Sequence, residues 1–321
     1  MIFFITGCNG KIASKLFSYL SKKEKTVIGL SYDKNNLNEN FDGLIHAKKR
    51  KIICNYFKEK NLSKIFNTLP SKEITFYHFG WGGVSEPKNE NLQYKNFQNT
   101  KSLIKILIKK SIYFQIKFFF AGSIEEYRAN EPYLTEEKIL NYKKHERPYE
   151  YYKNLILKEN YNNKINNFSY IHLIISNVIG IKNNQNSLIK LILKSINNNE
   201  SIHVKNFSSY RSFILLDDLT EVLYLLAFKI DFNEILNLGN ERSYSMKFFY
   251  RNLHKEFKSH FNNNSSKIYF SRKNDEDRFN IKFRLDVNKA MNYTSRRLNF
   301  SYKYIIKNII NHEKKYSNHR S

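Results

Sequence analysis

Cysteine, proline, tryptophan and glycine are all scarce in this chain of 321 residues, at 2, 4, 1 and 10 respectively. The two cysteines, Cys8 and Cys54, exclude a disulfide framework and a cysteine-rich metal site, and they suit a reducing, cytoplasmic compartment. Long apolar runs are missing too. None approaches the ~18–20 residues that span a bilayer. The opening apolar stretch, residues 2–5, stops at Thr6-Gly7, too short for the core of a signal peptide. Acidic side chains are in the minority: 29 Asp and Glu face 54 Lys and Arg, a formal charge of +25.

A charge excess of that size suggests nucleic acid or an anionic surface, but such a footprint gathers its cations on one face. Here they are spread along the chain. Heavy use of Lys, Asn, Ile, Phe and Tyr, with little Gly, Pro or Trp, is what AT-rich coding imposes, and this reading is preferred over nucleic-acid binding. In either case the positive field favours small anionic ligands. With 41% hydrophobic and 26% charged residues the chain can bury a full core, so wholesale disorder is excluded. The length fits two domains, or one large α/β domain with an appended lobe.

The first half alternates short apolar runs with helical spacing. Strands are expected at residues 2–5, 26–30, 52–54, 74–79 and 118–121. Helices are expected through Leu16, Phe17 and Leu20, through Leu62, Ile65 and Phe66, and over residues 92–110. The second half continues with a helix over 149–160, a strand over 168–175, helices over 187–196 and 217–228, and a strand over 234–238. Strands separated by helices predict a doubly wound parallel sheet of Rossmann type, an α/β fold, with a smaller C-terminal substrate lobe. The expected division is residues 1–175 with 213–240 for the dinucleotide-binding domain, and 176–212 with 241–321 for the lobe.

The turn Thr6-Gly7-Cys8-Asn9-Gly10-Lys11-Ile12-Ala13 joins the first strand to the first helix. Gly7 permits the bend, Gly10 lets the backbone approach a pyrophosphate, and small Ala13 lets the helix lie close to the sheet. The helix N-terminus then offers free N–H groups to the phosphates. These residues are therefore candidate cofactor contacts. At the end of the second strand, where a carboxylate accepts ribose hydroxyls and marks NAD, stands Ser31. Its neutrality and nearby Lys34 tilt the expectation to NADP, with Asp33 as the counter-argument.

Tyr149 and Lys153 form Tyr-x-x-x-Lys, one turn apart on a helix. A phenol of pKa ~10 is a poor acid–base group at neutral pH, and an ammonium within reach would bring it closer. The same spacing recurs at Tyr19/Lys23, Tyr56/Lys60, Tyr113/Lys117 and Tyr269/Lys273, so spacing alone does not choose. Context does: Tyr149 follows Pro148 at a helix start and lies downstream of the buried strand ending in Ala121-Gly122-Ser123. Ser123 at that strand end would face the same crevice; the plainer alternative is an ordinary turn serine.

Taken in order, several segments together resemble the NAD-dependent epimerase/dehydratase family of extended short-chain dehydrogenase/reductases, which act on nucleotide sugars. They are TGCNGKIA, Tyr77-His78-Phe79-Gly80-Trp81, Asn96-Phe97-Gln98-Asn99-Thr100, AGSIEEY (residues 121–127), PYEYYK (148–153), Asn177-Val178-Ile179-Gly180, RSFILLDDL (211–219), Asn237-Leu238-Gly239 and FRLDVNKA (283–290). The resemblance implies Ser123, Tyr149 and Lys153 as catalytic residues. It implies cofactor contacts at Phe79, Gly80, Trp81, Asn96, Tyr149 and Lys153, substrate contacts at Ser123, Asn177 and Arg211, and a weaker one at Arg272 or Arg278. A homodimer is implied as well. Departures from the family pattern are Ile174-Ile175 before Asn177, Asn55 in place of an acid, and Asn292-Tyr293 near the end.

Dehydratases of the family carry Asp-Glu directly after the hydroxyl residue; here Ile124-Glu125 follows Ser123, and isoleucine cannot donate a proton. The expected activity is therefore a 4-ketoreductase or C4 epimerase on a nucleotide-activated sugar in surface polysaccharide synthesis, with NADP or NAD. The competing class is a non-catalytic dinucleotide-binding scaffold or RNA-binding protein on the same fold, which would carry a damaged Ser/Tyr/Lys set.

Overall fold

The computed structural model describes residues 1–32, 49–128, 131–142, 146–180, 188–205, 207–260, 265–271, 279–298 and 300–317. Strand and helix alternate through β1 (Ile2–Thr6), α1 (Lys11–Lys22), β2 (Thr26–Ser31), β3 (Lys49–Ile53), α2 (Glu59–Phe66), β4 (Glu73–His78), α3 (Glu90–Lys110) and β5 (Gln115–Ala121). After a short 3-10 turn (Ile124–Glu126) come β6 (Tyr133–Leu134), α4 (Glu136–Leu140), α5 (Pro148–Asn160), β7 (Phe168–Ile175), β8 (Asn177–Ile179) and α6 (Leu188–Asn197). Then follow β9 (Ile202–Val204), β10 (Tyr210–Arg211), β11 (Phe213–Leu215), α7 (Leu216–Lys229), β12 (Glu234–Leu238), β13 (Tyr244–Ser245) and α8 (Met246–His260). The chain closes with β14 (Ile268–Phe270), β15 (Arg284–Leu285), α9 (Asn288–Thr294) and α10 (Tyr302–Ser317).

Seven strands form one sheet in the order β12-β7-β5-β4-β1-β2-β3, and every pairing in it is parallel. The expected doubly wound α/β sheet is thus present. All residues of β1 and β7 are buried, as strands covered on both faces require. Phe4, Phe76 and Phe118 line up across β1, β4 and β5, with ring centroids 5.4 and 5.9 Å apart; such cross-strand pairs help pin a sheet's register. That register sets the strand ends level: Thr6 lies opposite His78, His78 opposite Phe120, and Ala121 opposite Leu173. The loops leaving β1, β4, β5 and β7 therefore emerge at one edge, and the strand order reverses direction between β1 and β4, the place where sheets of this kind bind ligands.

The third strand starts at Lys49, three residues ahead of the apolar run at 52–54 that predicts it. Its basic first half sits at the sheet's edge and has no apolar alternation to read. Beyond the sheet, four two-stranded pairs (β10 with β13, β11 with β8, β14 with β9, β15 with β6) accompany a second apolar cluster around Ile192, Phe213, Phe249, Phe257 and Ile305. Phe279, Phe283, Leu285 and Ala290 pack into the main core. Among the described residues no helix is long and apolar enough to cross a membrane.

Candidate active site

The turn after β1 is built as a cradle. Gly7 has φ +63°, and a Cβ there would lie 2.8 Å from the carbonyl oxygen of Phe79 in the turn after β4. Gly10 closes the turn by donating its N–H to Gly7 O at 2.8 Å. Gly10 is also the N-cap of α1, with no side-chain cap and no acidic residue in the first turn, so the positive end of the helix is left for an external anion. Below the turn the Thr6 hydroxyl takes the Gly80 N–H at 3.2 Å and meets His78 Nδ1 at 2.7 Å, while His78 Nε2 reaches Thr100 at 3.0 Å. Burial holds His78 neutral, its pKa down at about 3. These features fit a dinucleotide: bare N–H groups for its pyrophosphate and no Cβ in the way. Thr6 and His78 support the cradle from beneath.

Asn9 donates to the Ser31 hydroxyl at 3.1 Å, tying the turn to the end of β2. Ile12 is half-buried against the core. Lys11 extends across the crevice to donate to Val178 O at 3.0 Å, and burial lowers its pKa to about 8. Asn96 holds the backbone of Gly82 twice, accepting its N–H at 3.2 Å and donating to its carbonyl at 2.8 Å. Asn55 spends its side-chain oxygen on the Phe57 N–H at 3.2 Å. Asp33, Lys34, Arg272 and Arg278 lie outside the described residues.

The fold brings Ser123, Tyr149 and Lys153 together. Pro148 is the first residue of α5, and the Tyr149 N–H is taken by Pro87 O at 3.1 Å, so helix start and ring are fixed together. Burial pushes the Tyr149 phenol far above its usual range, the Ser123 hydroxyl hydrogen-bonded to it pulls it down, and Glu126, Glu125 and Glu150 push it up again. The Lys153 ammonium donates to Ala121 O and lies 4.8 Å from the Trp81 ring centroid, with Phe120 and Tyr149 each at 5.1 Å. Burial lowers its pKa to about 8, against the opposing pull of Glu126. The expected easing of the phenol by the ammonium is therefore outweighed here: desolvation dominates both groups.

Ser123 and Tyr149 open into a cavity of about 260 Å³ shared with Val84, Glu125, Arg147 and Asn177. Arg147 lies just ahead of the PYEYYK segment and belongs to none of the motifs named above. It places its Nε 3.0 Å from both oxygens of the fully buried Glu150 and its Nη2 2.8 Å from Glu125 Oε2. Arg211 approaches the other Glu125 oxygen at 3.7 Å and lies over the Phe279 ring. The Arg147-x-x-Glu150 half of this cluster is visible in the sequence as an i,i+3 pair at a helix start; the reach back to Glu125 is not.

The profile of the family described as "NAD dependent epimerase/dehydratase family" matches residues 3–239. No curated protein matches the sequence. Among solved structures, UDP-glucose 4-epimerase from Thermotoga maritima with UDP-glucose is similar at TM-score 0.75 and 18% identity, covering 98% of this chain and 99% of that one. The Bordetella bronchiseptica enzyme WbmG in complex with NAD has TM-score 0.76 and 13% identity, over 98% and 94%. The dTDP-glucose 4,6-dehydratase of Bacillus anthracis in complex with NAD has TM-score 0.75 and 16% identity, over 98% and 97%.

Proposed function

We propose, from the premise that this chain belongs to the NAD-dependent epimerase/dehydratase family, that it is a 4-ketoreductase or C4 epimerase of a nucleotide-activated sugar. The observation that carries the proposal is the placing of Ser123 and Tyr149 on one cavity beside Asn177, on the same sheet edge as the Gly7–Gly10 cradle. A bound nicotinamide supplies hydride exchange. The chain's own part is to hold the pyrophosphate on the N-terminal N–H groups of α1 and to move a proton between Tyr149 and the sugar's 4-oxygen, with Ser123 bonding the same oxygen. Arg211, which approaches Glu125 on the cavity wall, suits the sugar nucleotide's diphosphate, to which a guanidinium fork is matched.

Elimination of water is disfavoured by two features. Ile124, where a dehydratase needs an acid, is apolar and buried, and Glu125 is engaged by Arg147 and Arg211. A neutral Ser31, rather than a carboxylate, at the end of β2 supports NADP alongside NAD. The direct experiment incubates the protein with reduced or oxidised dinucleotide and a panel of UDP- and dTDP-linked hexoses and 4-keto-hexoses. Net consumption of reduced dinucleotide supports the reductase, and a C4 epimer formed without net consumption supports the epimerase. No turnover across the panel, with dinucleotide bound, removes both.

The single tryptophan gives a further expected result. Trp81 is 6% exposed, its indole N–H is held by Gln93 at 2.7 Å, and it sits against Lys153. Binding of reduced dinucleotide, whose absorption overlaps indole emission, should quench most of the tryptophan fluorescence, and adenosine alone should not. Unchanged emission at a concentration that calorimetry shows to be saturating would separate the cofactor from Trp81.

A further inference from the structure

Beneath the Ser123 turn lie a buried acid and a buried imidazole that the chemistry above leaves unused. The Ser123 N–H donates to Glu126 Oε1 at 2.7 Å, while the Ser123 hydroxyl accepts the Glu125 N–H at 3.2 Å, so the 3-10 turn is capped from both ends. On the adjacent strand β7, His172 places its Nε2 3.0 Å from Glu126 Oε2 and its Nδ1 2.8 Å from the Tyr170 hydroxyl. Burial keeps the proton on Tyr170, so its hydroxyl donates to Nδ1 and leaves Nε2–H to donate to Glu126. The carboxylate thus receives two N–H donors, and all three side chains are fully buried. The fit is close: a Cβ on Gly122 would fall 2.5 Å from His172 Nε2 and 2.7 Å from Glu126 Oε1. The Lys153 ammonium is bound to Ala121 O, at the end of the strand that leads into this turn.

We propose that Glu126, held by His172, is a positioning residue for the Ser123–Tyr149–Lys153 group: its carboxylate fixes the Ser123 backbone and sets a negative charge against the Lys153 ammonium. The inference rests on the role proposed above for those three residues. Burial favours the neutral amine, and Glu126 is the anion that raises the Lys153 pKa against it. The other titratable groups facing the pair stay fixed near neutrality. His78, on β4, is neutral down to about 3, and burial keeps Tyr149, on α5, and Tyr170, on β7, protonated. Tyr127, next to Glu126, is protonated for the same reason. Glu125 and Glu150 are both paired with Arg147.

Trp81 makes the proposal testable without any substrate, because Lys153 lies on its ring. In the full chain, tryptophan emission followed over pH should inflect near 8, and Lys153→Met should abolish the inflection; this control also separates Lys11, which titrates in the same range from across the crevice. Glu126→Gln keeps an acceptor for the Ser123 N–H and removes the charge, while His172 can meet the new amide through its other tautomer. It should move the inflection down by about one pH unit, a tenfold weaker hold on the proton. Glu126→Met removes the same charge with a side chain of similar length and should shift the inflection the same way, which keeps the test available if Glu126→Gln does not fold. An inflection that stays at the wild-type pH in a folded Glu126→Gln or Glu126→Met protein, or no Lys153-dependent inflection in the wild type, overturns the proposal. Failure of the sugar panel would leave this titration untouched, so the two ideas fail separately.

Discussion

Gly7→Ala is expected to weaken dinucleotide binding by about 100-fold or more, roughly 2.7 kcal/mol. Two costs fall on the one added methyl. The backbone at Gly7 has φ +63°, a left-handed conformation that costs an L-residue roughly 1–2 kcal/mol. The methyl would also stand 2.8 Å from Phe79 O, 2.9 Å from Phe79 C and 3.0 Å from Gly80 Cα, all backbone that cannot rotate aside. Nor can the β4 turn retreat freely, since Gly80 is itself packed against the Tyr56 hydroxyl and its N–H is tied to Thr6. The turn itself must shift, taking the N–H groups of α1 with it. Gly10→Ala is the informative control. Among the described residues its added methyl meets Gly7 O alone, at 3.1 Å, and its φ of −68° suits any residue, so the melting temperature should fall less than in Gly7→Ala while binding still falls. Calorimetric titration with NAD and NADP, beside thermal melts, checks both; Gly7→Ala binding within twofold of wild type would show that the turn is not a phosphate cradle.

What is legible in the sequence, and what is hidden, follows from the range of the interactions involved. β1, β5 and β7 can be read because strands buried on both faces are apolar runs, and α3 because its buried positions recur at helical spacing. The lobe's paired strands are two or three residues long, too short to carry a period. Among the Tyr-x-x-x-Lys pairs, the structure separates what spacing could not. Tyr149 and Lys153 lie within α5, whereas Lys23 caps the end of α1, Tyr56 is buried in the loop after β3, Tyr113 lies in the turn after α3 and Tyr269 is in β14. The Glu126–His172 and Arg147–Glu125 contacts join residues far apart in the chain through strand order and turn geometry, so no local pattern announces them. The electrostatic outcome at Tyr149 is hidden for a related reason. A lysine one turn away is visible in the sequence; three carboxylates and near-complete burial are not.

That outcome at Tyr149 carries the second large expected effect. Tyr149→Phe removes one hydroxyl and should lower turnover by about 10²–10⁴-fold on whichever sugar nucleotide the panel identifies. Burial holds the phenol protonated at neutral pH, the form in which the acid role proposed for Tyr149 can operate. Lys153 then sets the upper edge of the pH profile. Its ammonium is present below about 8 and lost above, so the proposed proton transfer should proceed below that pH and decline through it. Steady-state rates measured from about pH 6 to pH 10, a range that brackets the lysine's titration, check both in the wild type and in Tyr149→Phe. A phenylalanine variant retaining more than a tenth of the wild-type rate, or a wild-type rate still climbing well past the lysine's titration, would assign the proton to another group.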